Sequence, residues 1–491
     1  MKAIIIKMVL TVYCLCMFMM AGALPYLHSY SGNLMDSHER IAFLHGVNVV
    51  NKQYPYTAQG LGVSESTAKL LQKQGFNIVR LGFIWKAIEP NPGSYNDDYL
   101  ASMKKTIKIL AKHGIYTLID FHQDAYSDVR GYGLGAPAWA TLASSQLPNI
   151  GFPLNYLSGF KTKNVQVSDF ENQAFDAFWQ NKEVVSVGVG VQTLYLNMLA
   201  HVAEYFNHNP NIAGFEIMNE PFAGSLWKQC AKNGLLSSCP SFERGLLTDF
   251  IKRAIFVIRA VNPKTIIWYE PNVNFGLGGK TALTYISNNN VGFAFHNYCN
   301  HDPKLCFQHA LPQREQYSLP LLATEFGANS LDDMQRSKLL NLADKYQINW
   351  IYWALVNNPI YQFSTWPKEL PGNPNNQGLV KNLHLPLKGS NVKWKLLGQL
   401  TRPYPQFVAG ANVKFSVNPV THRFDLSYVV EKIMPGIKGN ISVIYLPTSW
   451  GSRGYKFSIR GAKVISRSNC RLKVKNQLKS HQVKISISSK S

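Results

Sequence analysis

Eight short runs of apolar, β-favouring residues recur over roughly 310 residues of the chain. They are Leu44–Val50, Asn77–Phe83, Tyr116–His122, Ile212–Glu220, Thr265–Pro271, Gly292–Tyr298, Pro320–Gly327 and Asn349–Leu355. Amphipathic segments lie between them: Ser64–Gln74, Asp98–His113, Gln192–Asn207, Phe242–Val261 and Leu331–Tyr346. Runs that are apolar on both faces and alternate with helices are typical of a parallel sheet. The pattern therefore predicts a (β/α)8 barrel, a TIM barrel of the α/β class, with an open doubly wound sheet as the alternative.

The local signals agree with this alternation. Ser64 is a candidate N-cap, and Gly75 and Gly114 stand where a helix is expected to end. No G-x-G-x-x-G motif follows a strand, so dinucleotide binding has no support and no cofactor is predicted.

The spacing widens after the third run, where about 60 residues (128–189) precede the next helix. Long insertions after barrel strands lie over the active-site end and are usually functional. This one is rich in aromatic residues, including Phe152, Tyr156, Phe160, Phe178 and Trp179. Two interpretations stay open: these rings stack on sugars or line an apolar trough, or they form the insertion's own small core.

Beyond Pro403-Tyr-Pro405, apolar and polar residues alternate one by one along several short segments. The alternating segments are Val413–Val417, Phe424–Val430, Ile441–Leu446, Tyr455–Ile459 and Val483–Ile487, and Gly, Pro, Asn and Ser separate them. This pattern predicts a small antiparallel β-sandwich. We therefore divide the chain into a catalytic barrel over residues 24–387 and a sandwich domain over residues 388–491.

Composition excludes a mainly disordered chain, because 46% of the residues are hydrophobic and 16% are charged. The formal net charge is +22. Residues 388–491 contain 19 Lys and Arg against two acids, Asp425 and Glu431, so +17 of that charge lies in the sandwich. The nearly neutral barrel argues against a nucleic-acid enzyme. The basic sandwich predicts contact with an anionic membrane surface or a sialylated glycan.

The first 23 residues have the pattern of a secretory signal peptide. A basic start precedes an apolar run of 13 residues, and Ala21-Gly22-Ala23 forms an A-x-A cleavage site. The run is short for a membrane span, but an uncleaved membrane anchor is the alternative. We expect a secreted, monomeric protein.

Cysteine spacing in an exported protein indicates two small disulfide loops. Cys230 and Cys239 form one candidate pair, Cys299 and Cys306 the other, and Cys470 is left over. The competing interpretation, a zinc site, fits poorly because C-x8-C and C-x6-C are unusual spacings for structural zinc, so no metal is predicted.

Catalytic groups of such a barrel come from the C-terminal ends of its strands. The polar residues at those positions are Arg80, His122, Asp124, Asn219, Glu220, Glu270, His296, Tyr298, Glu325 and Trp353. A carboxylate at the end of a buried strand is costly to desolvate unless it is used or paired. Two carboxylates suffice to cleave a glycosidic bond, one as acid and one as nucleophile.

These positions resemble the catalytic set of glycoside hydrolase family five. Asn219-Glu220-Pro221 resembles the acid/base motif, and Thr324-Glu325-Phe326-Gly327 resembles the nucleophile motif. Further segments narrow the resemblance to endoglycoceramidases: His45–Val50 with Tyr54–Tyr56, Val79–Trp85, Asp120–Ser127, Phe295–Cys299 and Arg402–Pro405. The resemblance implies hydrolysis, with retention, of the bond between oligosaccharide and ceramide in glycosphingolipids.

The resemblance also implies roles for individual side chains. Glu325 would attack the anomeric carbon, and Glu220 would protonate the leaving oxygen. The supporting residues would be Arg80, His122, Asp124, Asn219, His296, Tyr298 and Trp353. Lys52 and Glu270 fit either a substrate contact or a structural salt bridge. The alternatives are a cellulase- or mannanase-like enzyme for soluble polysaccharide, a glucosylceramidase-like hydrolase, and, more remotely, an inactive lectin-like protein.

Overall fold

The computed structural model describes residues 23–130, 133–144, 169–230, 232, 234, 237–286, 289–299, 302–327, 333–356, 378–430, 439–451, 454–468, 470–477 and 479–490. The predicted signal peptide lies outside these residues apart from its last position. Phe152, Tyr156 and Phe160 of the predicted insertion also lie outside them. Within these ranges, no helix is both long and apolar enough to cross a membrane.

Each of the eight predicted runs coincides with one strand of a closed, parallel barrel, and only the sixth strand begins outside its run, one residue earlier at Val291. The strands are His45–Val49, Ile78–Phe83, Tyr116–Phe121, Ile212–Glu216, Ile267–Tyr269, Val291–Asn297, Leu321–Phe326 and Asn349–Tyr352. Every residue of these strands is buried, because one face fills the barrel interior and the other packs against the helices. The predicted barrel is confirmed.

The helices cover the outside of this barrel. They are Glu65–Lys73, Trp85–Ile88, Asp97–Lys112, Asp169–Trp179, Val191–Tyr205, Trp227–Cys230, Thr248–Val261, Pro303–Tyr317, Asp333–Tyr346 and Trp394–Leu400, with a π-helical turn at Phe242–Leu247. Gly75 and Gly114 follow two of them with φ of +83° and +74°, as expected of residues that end helices. A Cβ on Gly75 would lie 2.4 Å from the Tyr445 ring, so this site also needs glycine for packing.

The C-terminal region folds into two antiparallel sheets, as predicted. One sheet has four strands, in the order Ala411–Asn418, Arg423–Val429, Gln482–Ser489 and Tyr455–Arg460. The other sheet has seven strands, in the order Leu27–Tyr30, Asn33–Asp36, Ile41–Ala42, Tyr404–Val408, Ile441–Tyr445, Arg471–Asn476 and Ala462–Arg467. Their facing side chains form a separate hydrophobic core.

Three strands of the larger sheet come from the N-terminus of the chain. Ile41 and Ala42 pair with Val408 and Phe407, immediately before the first barrel strand begins. The helix Trp394–Leu400 falls within the predicted sandwich domain but packs on the barrel, since Leu397 and Leu400 belong to the barrel core. The division at residue 388 stays a prediction, but the N-terminal strands join the two regions closely.

The sandwich lies against the N-terminal end of the barrel. The hydroxyl of Tyr404 donates to the carbonyl of Gly75 at 2.6 Å, and that of Tyr445 donates to the carbonyl of Lys73 at 2.9 Å. Arg471 lies beside Gly114. Lys73, Gly75 and Gly114 directly precede the second and third barrel strands, so the sandwich occupies the end opposite to the one where catalytic groups are expected.

Candidate active site

Side chains predicted for the site converge at the C-terminal end of the barrel. Arg80 lies in the second strand, where the backbone is surrounded by apolar side chains, and its own side chain is fully buried. His296 and Glu325 lie in the sixth and seventh strands, and Asn219 and Glu220 follow the fourth. A parallel barrel brings these ends together although up to 245 residues separate them along the chain.

Arg80 is the centre of this arrangement. Its guanidinium contacts four carboxylates: Glu325 at 2.7 Å, Asp120 at 3.0 Å, Glu270 at 3.5 Å and Glu216 through Nε. It also donates to the side-chain oxygens of Asn48 and Asn219. Burial alone would lower the pKa of Arg80, but the surrounding carboxylates raise it well above its ordinary value, so the guanidinium stays charged.

Glu325 accepts two hydrogen bonds, one on each carboxylate oxygen. Arg80 donates to Oε1, and the Tyr298 hydroxyl donates to Oε2 at 2.6 Å. Burial and the negative charge of Glu325 raise the pKa of Tyr298 well above its usual range, so the phenol keeps its proton. The Glu325 carboxylate is therefore held in one orientation, with only 5% of its residue surface exposed.

Glu220 has a different environment. Its backbone adopts φ of +45°, a left-handed conformation that is uncommon for a residue other than glycine and is often found at functional sites. Its side chain contacts Nδ1 of His296 at 2.8 Å. Burial raises the pKa of Glu220, the nearby Glu325 and Glu270 carboxylates raise it further, and the bond to His296 opposes them. Glu220 thus holds a proton more readily than an ordinary glutamate.

His296 connects three glutamates. In addition to Glu220, its Nε2 lies 3.4 Å from Glu270 and 3.6 Å from Glu325. Burial alone would lower the pKa of His296, but Glu270 and Glu325 raise it well above its ordinary value. One carboxylate oxygen of Glu220, one of Glu325 and one ring nitrogen of His296 lie within 4.8 Å of one another, a spacing that could hold a metal ion. A protonated imidazole does not ligate a metal, so this triangle fits acid–base chemistry better than metal binding.

A second cluster lies beside these groups. The His122 ring is stacked on the Trp353 ring at 5.6 Å, and the Lys52 ammonium lies 4.9 Å from the centre of the same tryptophan ring. Lys52 also forms a 2.6 Å ion pair with Asp124. Burial opposes protonation of His122, but Asp120 and Asp124 raise its pKa to about 9. Burial would raise the pKa of Asp124, whereas Lys52 and His122 together hold it below its usual range.

Two buried carboxylates that contact Arg80, Asp120 and Glu216, were not among the residues predicted for the site. Each lies inside a predicted strand rather than at its end. Their signal in the sequence is an acidic residue within an otherwise apolar run, which requires a buried cation as a partner. Gln123 was also missed; its side chain donates to the carbonyls of Asn219 and Glu220 and holds the turn that carries them.

The described aromatic residues of the insertion form a packed core. Phe178 and Trp179 are 0% and 4% exposed, and Phe178 packs against Tyr126, Trp85 and Tyr195. Of the two interpretations left open, these two rings support the structural one.

Both predicted disulfides are present. Cys230 bonds to Cys239, and Cys299 bonds to Cys306 directly after the sixth strand. Cys470 is free among the described cysteines.

Comparison with known proteins agrees with this geometry. Residues 44–359 match the model of the cellulase family, glycosyl hydrolase family 5, and residues 402–487 match the glycoside hydrolase family 5 C-terminal domain. Endoglycoceramidase I of Rhodococcus hoagii is 30% identical over 349 residues, which cover 65% of this chain and 66% of that protein. An endoglycoceramidase of Cyanea nozakii is 28% identical over 81% of this chain and 80% of its own length.

The fold also matches a solved structure of endo-glycoceramidase II from Rhodococcus sp. in its lactosyl-enzyme intermediate. That comparison has a TM-score of 0.72 at 23% identity and covers 95% of this chain and 100% of the other. A closed parallel barrel, two glutamates at the ends of its fourth and seventh strands, and a family match over most of the chain lead to one conclusion: the chain belongs to glycoside hydrolase family 5 and is an endoglycoceramidase-like glycosidase.

Proposed function

We propose that this glycosidase cleaves the bond between oligosaccharide and ceramide in glycosphingolipids with retention of configuration. The observation that carries the mechanism is the short separation of two carboxylates: oxygens of Glu220 and Glu325 lie within 4.8 Å of each other. Retaining glycosidases hold their carboxyl groups about 5–5.5 Å apart, whereas inverting enzymes leave a wider gap for water. The substrate class is supported by relatives that are named endoglycoceramidases.

Glu325 is the proposed nucleophile. Arg80 and Tyr298 orient it, so its free lone pair attacks the anomeric carbon as the bond to the ceramide oxygen breaks. Glu220 is the proposed acid/base, because its raised pKa lets it protonate the departing oxygen. In the second step Glu220 takes a proton from water, which attacks the same carbon and releases Glu325.

The second cluster is a proposed site for the first sugar. Lys52 and His122 lie against the Trp353 ring and Asp124 contacts both of them, so the cluster offers an aromatic surface and several hydrogen-bonding groups. Asn219 accepts from Arg80 and donates to the carbonyl of Gln123 at 2.8 Å. One amide hydrogen of Asn219 is left for a sugar hydroxyl, the role that the resemblance implies.

Product analysis tests this proposal. The purified protein should release free oligosaccharide and ceramide from a ganglioside, and a proton NMR time course should first show the anomer that the substrate itself carries. Glu325→Gln should lower kcat by at least about 10⁴-fold while circular dichroism stays unchanged. Hydrolysis of carboxymethyl-cellulose without hydrolysis of glycolipid would instead support the soluble-polysaccharide alternative.

The basic sandwich is proposed to bind an anionic glycan. Arg460 lies directly opposite Lys484, and Lys463 lies directly opposite Lys475, although like charges in such positions repel. Within the described ranges no acidic side chain forms an ion pair with these four residues, so an external anion would relieve the repulsion. The sandwich lies at the end of the barrel away from the cleft, which supports a sialylated glycan over the bilayer that holds the substrate.

Binding measurements on Glu325→Gln protein test the sandwich separately from turnover. Soluble polysialic acid should bind, and Lys463→Glu/Lys475→Glu should weaken that binding about tenfold or more, at roughly 1 kcal/mol per charge. Lys105→Glu/Lys108→Glu, exposed lysines on a barrel helix, is the matched control. Binding to phosphatidylserine vesicles but not to polysialic acid would favour the membrane instead.

Secretion is also a proposal. It is supported by the basic start, the apolar run and the small residues that precede Leu24. Expression in a secreting host should release a protein whose N-terminal residue is Leu24. A full-length protein retained in membranes would support the anchor alternative.

A further inference from the structure

A buried group of charges around Arg80 contains more acids than bases. The cationic side chains are Lys52, Arg80, His122 and His296. The carboxyl groups that contact them are Asp120, Asp124, Glu216, Glu220, Glu270 and Glu325. Four positive charges therefore face six acids, and only Asp124 and Glu220 among them have side chains more than 10% exposed. Uncompensated charge is costly to bury, so two of the six acids should be neutral.

One neutral acid is Glu220, in its role as the proton donor of the proposed function. The contacts of Glu216 identify the second. Its Oε2 accepts from Nε of Arg80, but no described donor reaches its fully buried Oε1. Glu270 contacts the same Arg80 guanidinium as Glu216, and a hydrogen bond from a protonated Glu216 contributes to lowering the pKa of Glu270. Two buried carboxyl groups in contact share one proton, because both cannot ionise together.

Glu270 has the opposite environment. Its Oε2 accepts from the backbone N–H of Glu220 at 3.3 Å and lies 3.4 Å from Nε2 of His296, while Arg80 approaches its Oε1. These contacts all favour the ionised form. Glu270 thus joins the acid pair to the imidazole, and the imidazole contacts the proposed acid/base through its other nitrogen.

We infer that Glu216 holds the proton of a buried acid pair with Glu270, and that Glu270 is a positioning residue that keeps His296 protonated and directed at Glu220. This inference rests on the proposed acid/base role of Glu220. Burial, opposed by Arg80 and assisted by Glu270 and Asp120, raises the pKa of Glu216 well above its usual range. Burial would raise the pKa of Glu270, but His296 and Arg80 hold it below its usual range.

Infrared difference spectroscopy of the resting enzyme tests the proton directly. At neutral pH, subtraction of the Glu216→Gln spectrum from the wild-type spectrum should leave the carbonyl stretch of one protonated carboxyl, and that band should shift in D₂O. A difference spectrum that contains only carboxylate bands would overturn the inference. This measurement uses no substrate, so its result is independent of which glycoside the enzyme cleaves.

The activities of two variants show whether Glu216 acts through the hydrogen bonds of its protonated form or only through packing. Gln can accept from Arg80 and donate to Glu270 as a protonated Glu216 does, whereas Leu can do neither. The kcat of Glu216→Gln should therefore be at least about tenfold higher than the kcat of Glu216→Leu. Equal losses in the two variants would show that Glu216 acts as a carboxylate, and the inference would fail.

The titration of the His296 ring tests the role of Glu270. In the wild type, NMR of the assigned ring should show protonation well above the ordinary pKa of about 6.5. Glu270→Gln should lower the pH at which the ring titrates, and kcat should fall with it. Glu243→Gln, a buried glutamate outside the cluster, is the matched control and should leave the titration in place. An unchanged His296 titration in Glu270→Gln would contradict the positioning role.

Discussion

The cleft and the sandwich carry charge in contrasting ways. At the C-terminal end of the barrel, Arg80, His122 and His296 are buried, and each contacts two or more carboxyl groups. In the sandwich at the other end, Arg460, Lys463, Lys475 and Lys484 are exposed, and no described acid forms an ion pair with them. A buried charge must be neutralised inside the molecule, while an exposed one is neutralised by solvent ions or a partner.

This difference shows why net charge is a poor guide to where the chemistry lies. The sandwich contributes most of the +22, yet the chemistry depends on a cluster whose charges nearly cancel. Removal of one charge should therefore lower the free energy of unfolding most in the cleft. The loss should be smaller at the junction between barrel and sandwich, and close to zero on the exposed face of the sandwich. Four measurements test that order.

The largest effect is expected for Arg80→Met. The substitution leaves Asp120, Glu216, Glu270 and Glu325 without their shared cation in a buried site. We expect the free energy of unfolding to fall by about 5 kcal/mol and activity to become undetectable. Urea denaturation measures the first. Lys473→Met, which removes an exposed charge of the sandwich, is the control, and equal losses in both variants would contradict the comparison.

A smaller effect is expected at the junction of the two regions. Arg402 forms a 2.8 Å ion pair with Asp344, and both side chains are about 95% buried. Arg402→Met should destabilise the protein by about 3 to 4 kcal/mol because Asp344 is left buried without its partner. Arg423→Met, which breaks the exposed pair with Asp425, should cost less than about 1 kcal/mol. Thermal denaturation of the two variants gives the difference, and similar melting temperatures would count against it.

The third effect is a pH dependence that belongs to the cleft. The pKa of His122 is raised from an unfolded value of 6.5 to about 9 by Asp120 and Asp124 against the cost of burial. This stabilisation is fully present below pH 6.5 and is lost as the pH rises through 9, with a total of about 3 kcal/mol. Asp124→Asn should flatten the fall in unfolding free energy between these pH values. A wild-type stability that is constant over the same range would show that His122 is neutral.

The smallest effect is expected in the sandwich and has the opposite sign. Lys475 lies directly opposite Lys463 on adjacent strands, so Lys475→Glu replaces a repulsive pair with an attractive one. We expect a gain in stability of about 0.2 to 1 kcal/mol, which high salt should remove. Chemical denaturation at two salt concentrations measures it. A loss of stability would mean that Lys475 has a structural role.

The strand pattern of the barrel was predictable because of its burial. A parallel strand that is covered on both faces must be apolar at almost every position, and this signal survives without any tertiary information. Ile78–Phe83, for example, is a run in which all six residues are buried. The predicted helix over Ser64–Gln74 agrees with the observed Glu65–Lys73 to within one residue at each end.

The N-terminal strands of the larger sheet were not predictable in the same way. Leu27–Tyr30 and Asn33–Asp36 have four residues each, and Ile41–Ala42 has two, so local periodicity is too short to identify them. Their place in the sheet depends on the pairing of Ala42 with Phe407 across more than 360 residues of chain. Local periodicity carries no information about a pairing partner so distant in the chain.

The sequence by itself determined the barrel, the sandwich and the two glutamates, since strand periodicity and the position of a polar residue at a strand end are local properties. It also determined the two disulfide pairs through their spacing. Only the tertiary structure decided what surrounds those glutamates. Asp120 and Glu216 look like isolated acids in apolar strands, and closure of the barrel turns them toward Arg80. The strength of buried electrostatic contacts depends on distance and solvent exclusion, and neither exists until the chain has folded.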